Sequence, residues 1–378
     1  MSADIPAPDG AAPGATSTAR AAIVREANAP VVVEDIELDA PGPGEVRVRI
    51  LATGVCHTDL HACMGNFGAE FPYYLGHEAT GIVEAHGPDV TAPALGTTVV
   101  INWRAACGDC RFCAAGRANF CARPLVAGPR MRTLDGRPLG RVLGVGSFGT
   151  HTIVHARQAV PIAADLPPEA TCLIGCGVVT GVGAVLYAAA VRPGSTVAVF
   201  GCGAVGISVI QGARLAGASR IIAVDLAPKK LDWALKFGAT DVVDAREGEP
   251  SKKIRALTGT GVDYAFEAIG LPDTLNQAMW SCDLGGTCVL IGVPVPGAKL
   301  SFPGTKFFYS RATLKATFYG DCLATRDFPL LAGWYRDKRL DLDSLVTARV
   351  GLSDGEIAGA FKAMERGEAL RTVILMGG

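Results

Sequence analysis

The chain has 378 residues, 49% of them hydrophobic and 19% charged, with a formal net charge of −1. This is core material for two domains, without the basic bias of a nucleic-acid binder or of a protein held at an anionic membrane surface. Twelve cysteines and no secretory signal indicate a reducing, cytoplasmic setting, where clustered cysteines bind metal rather than pair as disulfides.

Residues 1–19, MSADIPAPDGAAPGATSTA, lack the basic start and apolar stretch of a signal peptide and read as a disordered arm. The turn sequence PGPG at 41–44 precedes Glu45–Ile50, where charged and apolar residues alternate as on a half-buried strand. Further on, Cys107, Cys110, Cys113 and Cys121 form C-x2-C-x2-C-x7-C. Four thiolates so close in sequence suit a closed tetrahedral zinc of structural type. An iron–sulfur cluster is the alternative, opposed by the missing Cys-Pro ending; a nucleic-acid zinc module is opposed by the charge balance. Thr171–Val191 carries no charge and has the length of a membrane span. Gly175, Gly177, Gly181 and Gly183 weaken it as an isolated helix, so a buried segment between two domains is the expectation, with no membrane partner.

From about residue 178 the pattern changes. Strands are expected at Thr196–Phe200, Ile221–Asp225, Asp241–Asp244, Val262–Ile269, Thr287–Val293 and Thr313–Tyr319. Helical stretches such as Lys229–Phe237, ended by Gly238, lie between them. Six strands with helical crossovers imply a doubly wound parallel sheet, an α/β fold. After the first strand comes Gly201-Cys202-Gly203-Ala204-Val205-Gly206, a G-x-G-x-x-G that opens a helix, the context a dinucleotide site requires. Gly201 permits the tight turn, Gly203 lets the backbone approach a pyrophosphate, and Gly206 lets helix and sheet pack closely. Asp225 ends the second strand, placed to accept ribose hydroxyls and to repel a 2′-phosphate, so NAD is expected over NADP.

A second donor set is dispersed: Cys56 in GVCHTDLH, His77 in GHE and Cys176 in IGCG. Two cysteines and a histidine would leave a fourth metal position open, the catalytic pattern, although spacing alone does not bring them together.

Taken with those motifs, the chain resembles the zinc-containing alcohol dehydrogenases of the medium-chain dehydrogenase/reductase superfamily from about residue 20 onward. GVCHTDLH, GHEATGIVEAHGPDV, CGDCRFC, IGCGVVTG, GCGAVG and LRTVIL follow the family's order. The resemblance implies a Rossmann domain at 179–318 inserted in a β-rich GroES-like catalytic domain at 20–178 and 319–378, with a structural zinc lobe. It implies NAD and two zinc ions per chain, with Cys56, His77 and Cys176 as catalytic zinc ligands. Glu78 would be the near-metal carboxylate and Asp59 the partner that orients His77. Thr58 would contact the alcohol, and the proton would leave through Thr58, the coenzyme ribose and His61. Phe67, Trp103 and Leu143 would line the substrate pocket. His57, Thr180, Ala204, Val205, Lys230, Val293 and Arg371 would contact the coenzyme, His57 standing where several members have arginine.

NWRAACGDCRFC, RIIAVD followed by KLDWALKFGAT, and YGDCL resemble an actinobacterial subgroup that includes mycothiol-dependent formaldehyde dehydrogenases; His61 departs from those enzymes. Phe67 departs from the acidic residue of the glutathione-dependent ones. A nicotinoprotein type, retaining NAD, is a further relative. The expected function is reversible oxidation of a primary alcohol, aromatic or medium-chain, to its aldehyde by NAD. Two alternatives stand beside it: oxidation of an S-(hydroxymethyl)thiol adduct of mycothiol type, and a zinc- and NAD-binding protein without turnover. The family and the long loop between Cys121 and Leu143 imply a homodimer.

Overall fold

The computed structural model describes residues 16–66, 68 and 70–377. Residues 1–15 of the arm expected at 1–19, and the expected pocket residue Phe67, lie outside the described residues. One correction falls at the arm's end: strand Ser17–Val24 pairs antiparallel with Val32–Leu38 from Ser17 onward, so Ser17–Ala19 are ordered sheet. Ala19, Ala21 and Ile23 bury into the core beneath it, which repays the cost of ordering them.

The first part of the chain builds two sheets of mainly antiparallel strands. The long strand Glu45–Gly54 organises the larger one. It pairs with Ala79–His86 on one side and, at different ends, with His151–His155 and Arg371–Leu375 on the other. Its buried and half-buried residues alternate over Val46–Ile50, as the sequence suggests. The chain thus leaves this half, builds a second one and returns through Val346–Val350 and Arg371–Leu375, which pair parallel with each other.

The second half is a six-stranded, wholly parallel sheet. Across the sheet the order is Asp241–Asp244, Arg220–Asp225, Thr196–Phe200, Val262–Glu267, Cys282–Leu290 and Thr313–Ala316. The winding direction reverses between Thr196–Phe200 and Val262–Glu267, which creates a crevice at the strands' carboxyl ends. Helix Pro228–Phe237 ends at Gly238 with φ +113°, the left-handed position that glycine takes without penalty.

Three strands end earlier than their sequences suggest. Val262–Glu267 stops because the Glu267 carboxylate turns back to accept from the N–H groups of Ile269 and Gly270. Cys282–Leu290 starts ahead of Thr287 and stops where Ile291 and Gly292 both donate to the Glu267 carbonyl. Thr313–Ala316 cannot run to Tyr319, because Tyr319, Gly320 and Asp321 all have positive φ.

Among the described residues no single helix is long and apolar enough to cross a membrane. Pro168–Gly175 and Gly177–Ala189 pass such a test only as a pair, bent by 55°, and their apolar side chains lie in the main core cluster. The uncharged run is therefore buried between the halves, and the bend falls at Cys176.

Candidate zinc and dinucleotide site

Antiparallel pairing assembles the first donor set. Thr53 faces Ala79 across the sheet, and Gly54 donates to the Glu78 carbonyl at 2.7 Å. Cys56, just past the end of one strand, therefore stands beside His77, just before the start of the other. Cys56 also begins the short helix His57–Cys63, where Asp59 accepts from the Cys56 N–H at 3.2 Å. Cys176, at the bend, is the third member. The ligand atoms of Cys56, His77 and Cys176 all lie within 4.8 Å of one another.

The remaining contacts orient this set. His77 is fully buried; its Nδ1 meets Asp59 Oδ1 at 3.0 Å, and the same oxygen accepts from the Gly76 N–H at 3.0 Å. Among the described residues His77 Nε2 has no hydrogen-bond partner although it is buried. A buried ring nitrogen aimed at two sulfurs without a partner is costly for a protein alone and suits a metal ligand. The Cys56 thiol is held well below the usual range, first by the hydrogen bond from Cys176, and Cys176 is correspondingly pushed up. Two sulfurs sharing one proton become two thiolates when a cation replaces it. Burial works against the His77 cation, but the charge of Asp59 and its hydrogen bond outweigh it and raise the pKa. Burial pushes the Glu78 carboxyl up to about 7, against the pull of Arg371, whose Nη1 lies 3.6 Å from Glu78 Oε2. Arg371 is itself buried and donates to the Val55 carbonyl at 2.9 Å.

In the second set, neighbouring sulfurs of Cys107, Cys110, Cys113 and Cys121 stand 3.5–4.0 Å apart. A tetrahedron with metal–sulfur bonds of about 2.3 Å has edges of roughly 3.8 Å, so a closed zinc site fits. N–H groups of Cys107 and Cys110 point at two of the sulfurs, and Arg104 and Arg157 hold the carbonyls of Cys121 and Cys107.

At the dinucleotide crevice Gly201 has φ +91°, and a Cβ on Gly206 would lie 1.7 Å from the Gly201 oxygen. A Cβ on Gly203 would meet nothing within 4 Å, so the space beside helix Ala204–Leu215 is open at its N-terminus. Free N–H groups at Ala204, Val205 and Gly206 border that space and suit a pyrophosphate. Asp225 is half-buried; its oxygens accept from Cys202 N at 2.8 Å and Ala227 N at 2.9 Å and keep lone pairs for ribose hydroxyls. His57 is pushed down, first by crowding of its ring and then by the charges of Arg371, His61 and Lys230, although its outer face meets solvent. Thr180 lies half-buried on helix Gly177–Gly183, which packs across helix Ala204–Leu215. Val293 is 77% exposed in the loop after Cys282–Leu290, at the sheet's carboxyl edge.

Thr58 Oγ1 lies 3.7 Å from Cys56 Sγ. His61, one turn on, shares that helix face and is half-buried. Leu143, with φ +51°, packs on the cluster that includes Val55 and Ala62. The Trp103 ring rests 4.2 Å from that of Tyr319 and 5.3 Å from that of Phe318. Two residues at the site escape sequence reading. Asn66 Nδ2 lies 2.9 Å from His61 Nδ1, and Tyr319 donates its hydroxyl to the Gly175 carbonyl. Asn66 follows the helix with no motif of its own. Tyr319 reads as the end of a strand, and only its YGD turn hints otherwise.

Residues 42–164 match the family described as alcohol dehydrogenase GroES-like domain, and residues 204–336 match the zinc-binding dehydrogenase family. An alcohol dehydrogenase class-3 from Zea mays is 38% identical over 376 residues, covering 96% of this chain and 98% of its own. One from Oryza sativa subsp. japonica is 38% identical over 374 residues, covering 96% and 97%. Among solved structures, an alcohol dehydrogenase zinc-binding domain protein from Burkholderia ambifaria superposes with a TM-score of 0.91 at 35% identity, covering 96% of this chain and 100% of the other. Benzyl alcohol dehydrogenase from Acinetobacter calcoaceticus gives 0.89 at 29% identity, with coverage of 96% and 100%.

Proposed function

This chain belongs to the zinc-dependent alcohol dehydrogenases of the medium-chain dehydrogenase/reductase superfamily, enzymes that use NAD and zinc, and we propose that within it the chain oxidises a primary, aromatic or medium-chain alcohol to the aldehyde, reversibly. The observation that carries this reading is the partnerless, buried Nε2 of His77 facing the sulfurs of Cys56 and Cys176. Cys56, His77 and Cys176 would hold the catalytic zinc, and Cys107, Cys110, Cys113 and Cys121 the structural one. Bound there, zinc supplies a Lewis acid that acidifies an alcohol hydroxyl, and NAD supplies the hydride acceptor.

The protein's own groups do the rest. Asp59 holds the His77 ring through Nδ1, so that Nε2 is the ligand atom. Glu78 and Arg371 balance charge behind the metal set. The Thr58 hydroxyl, beside Cys56, accepts the hydrogen bond of the alcohol. His61, at the rim, hands protons to water. His57, Lys230 and the N–H groups at Gly203–Gly206 hold the pyrophosphate, with Thr180, Val293 and Arg371 along the rest of the coenzyme. Asp225 selects NAD by accepting the ribose hydroxyls. Trp103 and Leu143 form the substrate wall; the aromatic character of Trp103 and the likeness to a benzyl alcohol dehydrogenase favour aromatic substrates.

We divide the chain at 20–178 with 319–378 as the catalytic domain and 179–318 as the coenzyme domain. We propose a homodimer; the edge of strand Thr313–Ala316, unpaired among the described residues, and Phe308 and Tyr309 beside it, exposed by 73% and 72%, support it. Turnover of an alcohol panel with NAD or NADP, with and without low-molecular-weight thiols, tests the reading. Thiol-independent oxidation of benzyl alcohol with NAD supports it. Turnover only of formaldehyde with a thiol transfers the assignment to the adduct, and no turnover by zinc-loaded protein refutes an alcohol oxidoreductase.

A further inference from the structure

Cys176 stands between two short helical stretches, Cys172–Gly175 and Gly177–Gly183, with φ −145° and ψ −80°. These angles belong to neither helix nor strand. The peptide groups on both sides of the cysteine are held by side chains from distant segments as well as by the following helix. On the C-terminal side the Cys176 carbonyl accepts from the Thr180 N–H at 3.0 Å, and the Gly177 N–H of the same peptide donates to Glu78 Oε1 at 3.1 Å. On the N-terminal side the Gly175 carbonyl accepts the hydroxyl of Tyr319. Each peptide is planar, so fixing its oxygen or its N–H fixes the direction in which the chain enters or leaves Cys176.

Tyr319 is suited to this task by its own setting. It is buried, and its ring lies 4.2 Å from Trp103, centroid to centroid. It begins the run Tyr319-Gly320-Asp321, with φ of +60°, +66° and +54°. A tyrosine and an aspartate in the left-handed region persist only where their surroundings enforce it. The enforcement is visible at Gly320: a Cβ there would stand 2.6 Å from the Val179 oxygen and 2.7 Å from that of Thr180, so backbone packs directly on backbone. The segment by which the chain leaves the parallel sheet is thus pressed against the helix that follows Cys176, and Tyr319 reaches back along that helix to the carbonyl just before the cysteine.

We propose that Tyr319 is a positioning residue for Cys176: with Glu78 it clamps the two peptides around the cysteine and so sets the direction of its sulfur, while its ring sets the place of Trp103. The proposal rests on the reading of Cys56, His77 and Cys176 as metal ligands. Removing the hydroxyl leaves the ring, the backbone and the donor set intact, yet frees one side of the clamp.

The test replaces the catalytic zinc with cobalt(II) in wild type, Tyr319→Phe and Tyr335→Phe. Tyr335 donates its hydroxyl to Asp343 at an exposed site and controls for the loss of a tyrosine hydrogen bond as such. The thiolate-to-cobalt charge-transfer and ligand-field bands report the geometry at the sulfurs. The expected result is a shift of these bands in Tyr319→Phe and none in Tyr335→Phe, with a several-fold lower kcat and a nearly unchanged KM for NAD in the former. Bands in Tyr319→Phe that superimpose on the wild type overturn the proposal. If Tyr319→Phe does not fold, 3-fluorotyrosine placed at 319, a stronger hydroxyl donor of nearly the same shape, takes its place, and unshifted bands again overturn the clamp. Wild-type protein that binds no cobalt outside the four-cysteine set fails the metal assignment itself, a result distinct from unshifted bands.

Discussion

Two glycines of the dinucleotide turn, three positions apart, should respond in opposite ways to the same added methyl group. At Gly206 the Cβ would lie 1.7 Å from the Gly201 oxygen and 2.9 Å from its carbonyl carbon. Ordinary contact begins near 3.4 Å, so strand or helix must move by more than an ångström. Such overpacking costs about 1–3 kcal/mol, or roughly 2–12 °C in the melting temperature of a domain of this size. At Gly203 the backbone, φ −72° and ψ −176°, accepts alanine, and the methyl meets nothing. Losing glycine at a helix N-cap changes stability by about 1 kcal/mol at most. The methyl instead fills the space through which a pyrophosphate would reach the helix N-terminus. Losing one charge-assisted hydrogen bond there, about 1.5–3 kcal/mol, weakens NAD roughly 10- to 150-fold. Thermal unfolding and NAD titration of Gly203→Ala and Gly206→Ala measure both quantities. Wild-type NAD affinity in Gly203→Ala, or a wild-type melting temperature in Gly206→Ala, would refute the roles given to these residues.

Three further outcomes are expected. A chelator should remove the ion at Cys56, His77 and Cys176 first and abolish activity while circular dichroism shows the fold retained; fully active protein with one zinc or none contradicts the two-site reading. Asp225→Gly should narrow the preference for NAD over NADP by at least about tenfold, and a wild type that uses both equally removes the basis for its role. Because Asp225 also holds the Cys202 N–H, absolute NAD affinity should fall as well, so the ratio of the two coenzymes is the informative readout. His61→Gln should slow alcohol oxidation at full zinc content and be partly rescued by added buffer base, whereas His77→Gln should lose zinc and activity together without rescue; equal zinc loss in both variants would sink the relay assignment.

Much of the architecture is legible in the sequence because its signals are local. The strand-glycine-helix context of Gly201–Gly206, the left-handed end at Gly238 and the spacing of Cys107, Cys110, Cys113 and Cys121 each lie within one short segment, and each reappears in the structure. The convergence of Cys56, His77 and Cys176 is not local. It depends on the register that sets Thr53 against Ala79 and on the bend at Cys176, neither of which any short segment encodes. Strand ends depart from the sequence pattern where a side chain or a positive φ overrides apolar content, as the Glu267 carboxylate does at Ile269 and Gly270 and as Tyr319 does after Ala316. Ser17–Ala19 look like linker by composition, and only pairing with Glu37, Leu38 and Ile36 makes them strand.

The pairing of Arg371–Leu375 with the far end of Glu45–Gly54 has a consequence for the order of events during synthesis. Arg371 reaches the Val55 carbonyl across 316 positions of chain, and Val373 faces Gly54. Loop-closure entropy grows only logarithmically with length, so this separation costs little in final stability. It costs time. The parallel sheet, closed within Thr196–Ala316, is complete and able to fold while the strand edge beside Gly54 still waits for its neighbour. Until Arg371–Leu375 emerges, Cys56 and Glu78 lack the buried guanidinium that balances them, and the unpaired edge is open to other chains. A chain truncated just before Arg371 should therefore display a folded coenzyme half joined to an unfinished, aggregation-prone metal half, which limited proteolysis and light scattering would reveal.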